Sequence, residues 1–448
     1  MDFQEFKNLV IAAAEAKGLT EYELYYQTSE ETSVEAFRHE INAFSSTLEG
    51  GVCFRCIYNG KMGYASSQAL SEAEAVSLVE QAMEGASVLE TEEEVFLGEG
   101  GQTYAELPPS KLALATTDEL RELALASQDA LYAADPMVVD GTQSQTVAQK
   151  MSIAICNSKG LDLSHECTIN ALIGMAVVSN GEEMAESYDF SMGDLKEIKL
   201  DAYADKIVKK AIAKLGGEPA PTGSYPVIFS AGAMADLLAT FSPVFSSKYA
   251  QKGLSRLKGQ EGEIVASPVV TLVDDPFYEK SLAKMPFDAE GSPTYRKNVI
   301  EAGKLETLLY NLETAYKEGR KTTGNASKGN YASPVGINPF TMYLAPGEMT
   351  EDELLEKAQN GVYINFLGGL HAGANEISGD FSLQSGGFLI ENGKKTSPVK
   401  SFTVAGNFFQ LLKGITAVAS NLEVPNPSNV TAFGSPSVLV EGLSIAGK

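Results

Sequence analysis

Histidine is nearly missing from this chain: His39, His165 and His371 are the only three in 448 residues. A His-Glu-x-x-His helix, or any other two-histidine helical motif, is thereby excluded, because such motifs set two imidazoles one turn apart on a single face. Cysteine is scarce as well, with Cys53, Cys56, Cys156 and Cys167 the full set. Four thiols are too few to staple a chain of this length, which excludes a disulfide scaffold. There is no tryptophan. Basic residues are outnumbered, 34 Lys and Arg against 59 Asp and Glu, for a formal net charge of −25. That balance speaks against direct nucleic-acid binding, since affinity for a phosphate backbone comes largely from Lys and Arg; it does not speak against contact with a basic protein. No apolar run approaches the ~18 to 20 residues of a membrane span. The start, Met1-Asp2-Phe3-Gln4-Glu5, lacks the basic and apolar regions of a signal peptide. The expectation is a cytoplasmic protein.

What is present reads as a folded chain, 44% hydrophobic and 21% charged, long enough for roughly three domains at about 150 residues each. Asp2 and Glu5 form a capping box before a helical apolar pattern that Gly18 stops. Strand-like runs follow at Glu21–Thr28, Thr32–His39, Gly51–Tyr58 and Lys61–Ser66, with the hairpin pair Asn59-Gly60 between the last two. Ser71 and Glu74 open a second helix. Residues from Glu90 to Pro109, with the acidic run Glu92-Glu93-Glu94, read as a linker. The order then recurs: a helix after Thr116 with Glu119, strands between Pro136 and Ser191, and a helix over Leu200–Leu215, which suggests a duplicated helix–strands–helix unit. Gly216-Gly217-Glu218-Pro219-Ala220-Pro221 marks a boundary, and beyond it short strand-like runs prevail, with a helix at Thr350–Gln359. The fold class expected is α+β, with domains over 1–88 and 110–216 and a β-rich C-terminal domain over 222–448.

Candidate chemistry is sparse. Cys53-Phe54-Arg55-Cys56 has redox spacing but lies in a strand-like run, where residues three apart face opposite ways. No Gly-x-Ser-x-Gly elbow occurs, and Gly368-Gly369 and Gly386-Gly387 lack the P-loop lysine and the Rossmann spacing. Asp274-Asp275 and Glu261/Glu263 read as structural or surface carboxylates rather than a general acid–base pair. Two places remain. One is the glycine-rich stretch Gly361–Gly414, whose His371, Asn375 and Asp380 could shape a cleft or an interface. The other is the basic segment Lys317–Lys328, where Arg320 and Lys321 could hold a carboxylate or phosphate.

Several stretches together resemble the TldD/PmbA family, in its PmbA or TldE branch, whose older name is modulator of DNA gyrase. They are Gly259-Gln260-Glu261-Gly262-Glu263 with Val273-Asp274-Asp275, Thr323-Gly324-Asn325-Ala326, Gly379-Asp380-Phe381-Ser382, and Ala405-Gly406-Asn407. The resemblance implies cytoplasmic proteolysis of peptides or unfolded chains by a TldD/TldE pair, in which the TldD-like partner carries zinc on a His-Glu-x-x-x-His helix completed by a later cysteine. Counted back from Gly259-Gln260, those helix positions fall here at about Leu238, Ala239 and Pro243, and no cysteine follows Cys167. A zinc-free subunit is therefore expected, catalytic and metal residues none, assembled with a TldD-like zinc subunit or as a homodimer when alone, and holding peptide along a sheet edge. Two alternatives stay open: a stand-alone hydrolase centred on His371, and a protein-binding regulator of a gyrase or toxin system.

Overall fold

The computed structural model describes residues 1–90, 94–108 and 110–447; Thr91, Glu92, Glu93 and Pro109 of the expected linker lie outside the described residues. The first half is α1 (Phe3–Ala16), β1 (Tyr22–Phe37), β2 (Glu40–Tyr58), β3 (Lys61–Ser67) and α2 (Glu72–Val88), then α3 (Thr117–Ala134), β4 (Gln143–Asn157), β5 (Asp162–Ser179), β6 (Met184–Met192) and α4 (Leu200–Ile212). All six strands form one antiparallel sheet in the order β3-β2-β1-β4-β5-β6. Each unit is helix, three-stranded meander, helix, and the first strands of the two units meet at the centre. The repeat expected from sequence is thus present as element order, and the two units share a single sheet.

Capping starts the helices where the sequence says. The Asp2 carboxylate accepts from the Glu5 N–H at 2.8 Å, and Thr116 with Glu119 closes a second capping box. Asn59 (φ 53°) and Gly60 (φ 74°) both take the left-handed conformation of a two-residue hairpin. Two expectations fail: β1 is a single strand, not two, and β2 begins at Glu40 and not at Gly51. The polar run Ser29-Glu30-Glu31 stays extended because it is laddered on both sides, Glu30 opposite Leu48 of β2 and Lys150 of β4. Two full ladders outweigh a local preference for a turn.

Alternation along the strands sorts the two faces of the sheet. Leu24, Phe54, Cys56 and Cys156 pack under α1 and α2, and Val34, Ala148 and Leu172 pack under α3. Tyr25, Cys53 and Ile155 point the other way, onto Phe287 of the C-terminal half. Cys53 and Cys56 therefore lie on opposite faces, as their spacing in a strand requires. All four cysteines are buried and unpaired, and burial pushes the Cys56, Cys156 and Cys167 thiols up to about 11.

The second half contains β7 (Gly223–Phe229), α5 (Ala231–Phe241), α6 (Ser247–Gln251), β8 (Leu272–Asp275), β9 (Lys297–Glu301), β10 (Lys304–Leu305), α7 (Leu312–Lys317), β11 (Ala326–Ser327) and β12 (Gly336–Ile337). After these come β13 (Thr341–Leu344), α8 (Glu351–Ala358), β14 (Gly361–Gly368), α9 (Leu370–Gly373), β15 (Asp380–Glu391) and β16 (Lys394–Asn407). The last elements are α10 (Phe408–Gly414), β17 (Ile415–Val418), β18 (Ala432–Gly434) and β19 (Val438–Ala446). One sheet runs β16-β15-β14-β7-β19-β17 and closes on itself through a further pairing of β16 with β19. A second runs β10-β9-β8-β13-β18. Phe229, Leu237, Phe241, Ile364, Phe402 and Phe408, each 0 to 2% exposed, belong to the core they share. The protein is α+β with a β-rich C-terminal half.

A buried polar chain ties the halves together. Asp274 accepts from the Phe340 N–H (2.8 Å), Asn325 Nδ2 (2.7 Å) and Lys297 Nζ (3.1 Å). Next along the chain, Asp288 accepts from the N–H groups of Ala326, Glu290 and Ser292, each at 2.9 Å. The Glu290 carboxylate takes the Leu312 N–H at 2.8 Å and lies 3.9 Å from Arg55, which donates to Glu23 at 2.6 Å. The described part of the linker joins this interface. Leu97 is buried, Phe96 packs on Tyr316 with ring centroids 4.2 Å apart, and the Tyr104 hydroxyl donates to the Gly291 carbonyl at 2.9 Å.

Candidate functional site

The helix at which the family resemblance places zinc ligands is α5. Its N-cap Ser230 accepts from the Ala233 N–H at 3.2 Å, and Met234, Leu237, Leu238 and Phe241 follow at core-facing spacing. Leu238 is fully buried in the C-terminal core, Ala239 is half-buried, and Pro243 lies in the short 3₁₀ turn Ser242–Phe245. These side chains carry no lone pair that could bind a metal, so the residues present do not fit zinc there.

The glycine-rich stretch is mostly strand, β14, β15 and β16 with α10 at its end, and its three candidate residues sit in or at the end of the surface turn between β14 and β15. Gly369 takes φ 74° before α9, on which His371 is exposed. Asn375 Oδ1 accepts from the N–H groups of Ile377 and Ser378, each at 3.0 Å, and Asp380 accepts from Asn407 Nδ2 at 2.8 Å. That bond from Asn407, helped by Ser378, holds the Asp380 carboxyl below its usual range. Asn375 and Asp380 thus shape the turn, and His371 stands outside their hydrogen bonds. Replacing His371 with Ala should leave the unfolding free energy within about 0.5 kcal/mol and bound metal unchanged. Loss of zinc by elemental analysis would assign the residue a ligand role instead.

In the basic segment, Arg320 is committed within the chain. It donates to Glu261 and, at 2.6 Å, to the Tyr310 hydroxyl, with its guanidinium 4.5 Å from the centroid of the same ring. Glu261 also accepts the Leu308 N–H at 2.8 Å. Lys321 is exposed. The structure therefore brings Arg320 together with Glu261, and leaves Lys321 and the His371–Asp380 turn as separate places.

A cleft that sequence reasoning missed opens between the two halves. It holds about 570 Å³ and lies among β6, α4, the first turns of α5, β14 and β15. Its floor is organised by Glu351, the first residue of α8. That carboxylate accepts from Lys395 (2.6 Å), Ser437 Oγ (2.6 Å) and the Tyr363 hydroxyl (2.9 Å). Burial alone would raise the Glu351 pKa, and those three donors outweigh it, so the net shift is downward. Asp236 of α5 lines the same cleft and behaves in the opposite way, desolvation pushing its carboxyl up to about 6. One signal for it was available: Asp236 is the only charged residue in the helix Ala231–Phe241. A second cavity of about 450 Å³ lies beside α3, where Asn170 is spent on the backbone of Ala113 and Ala115. Among the described residues, no group of three or more His, Cys, Asp or Glu side chains could hold a metal ion.

Taken together, the chain is an α+β protein in which a six-stranded sheet is covered by helices on one face and packs its other face on a closed β-rich half. The chain belongs to the PmbA/TldD family. The PmbA/TldA metallopeptidase C-terminal domain matches residues 222–447, domain 1 of that metallopeptidase matches 22–86, and its central domain matches 111–215. Among solved structures, the chain is similar to a Thermotoga maritima protein named as a candidate modulator of a DNA gyrase, at 32% identity and TM-score 0.89, covering 99% of this chain and 100% of that one. It is also similar to TldE from Thermococcus kodakarensis, at 25% identity and TM-score 0.88, with 98% and 99% covered. The Haemophilus influenzae metalloprotease PmbA homolog is 25% identical, over 93% of this chain and 90% of that protein.

Proposed function

We propose that this chain is a TldE-type subunit of a cytoplasmic metallopeptidase that acts on peptides or unfolded chains. In this reading a TldD-like partner supplies the zinc, and this chain helps to enclose the substrate. The observation that carries the reading is the apolar α5: with Leu238 in the core and Pro243 in the turn, the helix is built for packing and not for metal binding. Assembly is supported by the outer edge of β2. Among the described residues no strand other than β1 pairs with its segment Glu40–Gly51, on which Phe44 is 55% and Leu48 70% exposed. An open, apolar strand edge of this kind calls for a partner. No described helix is long and apolar enough to cross a membrane.

Reconstitution tests the reading. The chain purified alone should hold no stoichiometric zinc and should not cleave an unfolded peptide. Together with a TldD-like partner it should raise cleavage by at least about tenfold over the partner alone, the scale expected when one surface orients a substrate. Undiminished cleavage by the partner in the complete absence of this chain would refute it.

A further inference from the structure

The cations that line the interdomain cleft are already engaged within the chain. Lys209 pairs with Asp205 at 2.8 Å, and Lys210 approaches Asp189 at 3.7 Å. Lys214 donates to the Glu186 carbonyl at 2.6 Å. Lys395 is bound to Glu351 and lies 3.6 Å from the centroid of the Tyr363 ring. Asp236 is different: it lines the cleft, and among the described residues no hydrogen bond or ion pair reaches its carboxylate. Two aromatic side chains of the cleft remain open, Tyr188 at 63% and Phe366 at 47% exposure, and Tyr188 is close enough to sense the Asp236 charge.

A cleft-lining carboxylate that lacks an internal counter-ion, beside accessible ring faces, suits a cation on an apolar stem. The carboxylate supplies charge and hydrogen-bond acceptors, and the rings attract the cation through their quadrupoles while covering the stem. At about 570 Å³ the space suits a few side chains and not a folded domain. A formal charge of −25 favours the approach of a basic segment. We infer that this cleft binds a lysine or arginine side chain of an extended polypeptide, its cationic head paired with Asp236 and its stem against Tyr188 and Phe366. The inference builds on the proposed handling of polypeptides and names the side-chain class preferred. It is measured on this chain alone, so its outcome is separate from whether a partner supports cleavage.

The test uses short peptides, acetylated and amidated at their ends, that differ only in one central residue: arginine against citrulline, and lysine against acetyl-lysine. Calorimetry at neutral pH and low salt should show the cationic member of each pair binding about tenfold more tightly. Asp236→Asn should bring arginine down to the citrulline level and leave citrulline binding as it was, which also shows that the variant is folded. Asp236→Glu should keep most of the discrimination. Equal affinity within both pairs for the unaltered chain, discrimination that survives Asp236→Asn, or no saturable binding of any peptide would each overturn the inference.

Discussion

Replacing Arg55 with methionine is expected to lower the unfolding free energy by about 3 to 5 kcal/mol. Arg55, Glu23 and Glu290 have side-chain exposures of 6, 2 and 5%, so the substitution leaves two carboxylates in the interface without the cation they share. Neutralising one of them as well, in the Glu23→Gln/Arg55→Met double variant, should recover part of the loss, because the main penalty is the stranded charge. The deficit should also depend on pH with a definite sign. Burial already pushes Glu290 up to about 7 against the pull of Arg55. A carboxyl with a raised folded-state pKa binds its proton more tightly folded than unfolded, so stability falls as pH rises from the usual glutamate range toward the folded value. Without Arg55 that slope steepens, and the gap between variant and parent narrows in mild acid. Urea titrations followed by circular dichroism at several pH values would measure it. A loss under about 1 kcal/mol at neutral pH would mean that water reaches the trio.

Asp274→Ala is expected to be comparably severe, about 3 to 5 kcal/mol. The carboxylate has no exposed surface and accepts three hydrogen bonds at once, joining β8 and β9 to the segments around Asn325 and Phe340. Its removal leaves the Lys297 ammonium, 5% exposed, without the partner opposite it in the strand register. Lys297→Met added to Asp274→Ala should restore a good part of the loss, whereas Lys297→Met alone should be damaging. If both single variants unfold at the parent midpoint, this network is not a stabilising element.

Features set by neighbours in sequence were the legible ones. The boxes Asp2/Glu5, Thr116/Glu119 and Thr350/Glu353 cap real helices, and Asn59-Gly60 turns a real hairpin. Each is decided within four residues. The long β1 was not legible, because Ser29–Glu31 stay extended through ladders to strands that lie elsewhere in the chain. The same reason hides the site. Arg320 looks like a free cation until Glu261, 59 residues away, is seen to hold it. Asp236, the one charge in its helix, gains a setting only when the fold places it in a cleft with Tyr188 and Phe366. The family motifs pointed to the architecture, and it was the burial of Leu238 that showed how α5 is used.

The closure of the C-terminal sheet has a consequence for how the protein is made. β19 pairs with β7 along one edge and with β16 along the other, so the ring stays open until Val438–Ala446 has left the ribosome. Until then the β7 edge, more than 200 residues older, has to wait unpaired, and such long-range pairing is slow to form and exposed to aggregation. The N-terminal sheet, complete by Met192, can mature during synthesis. It would then give the unfinished half a folded surface to dock on while translation runs to its end.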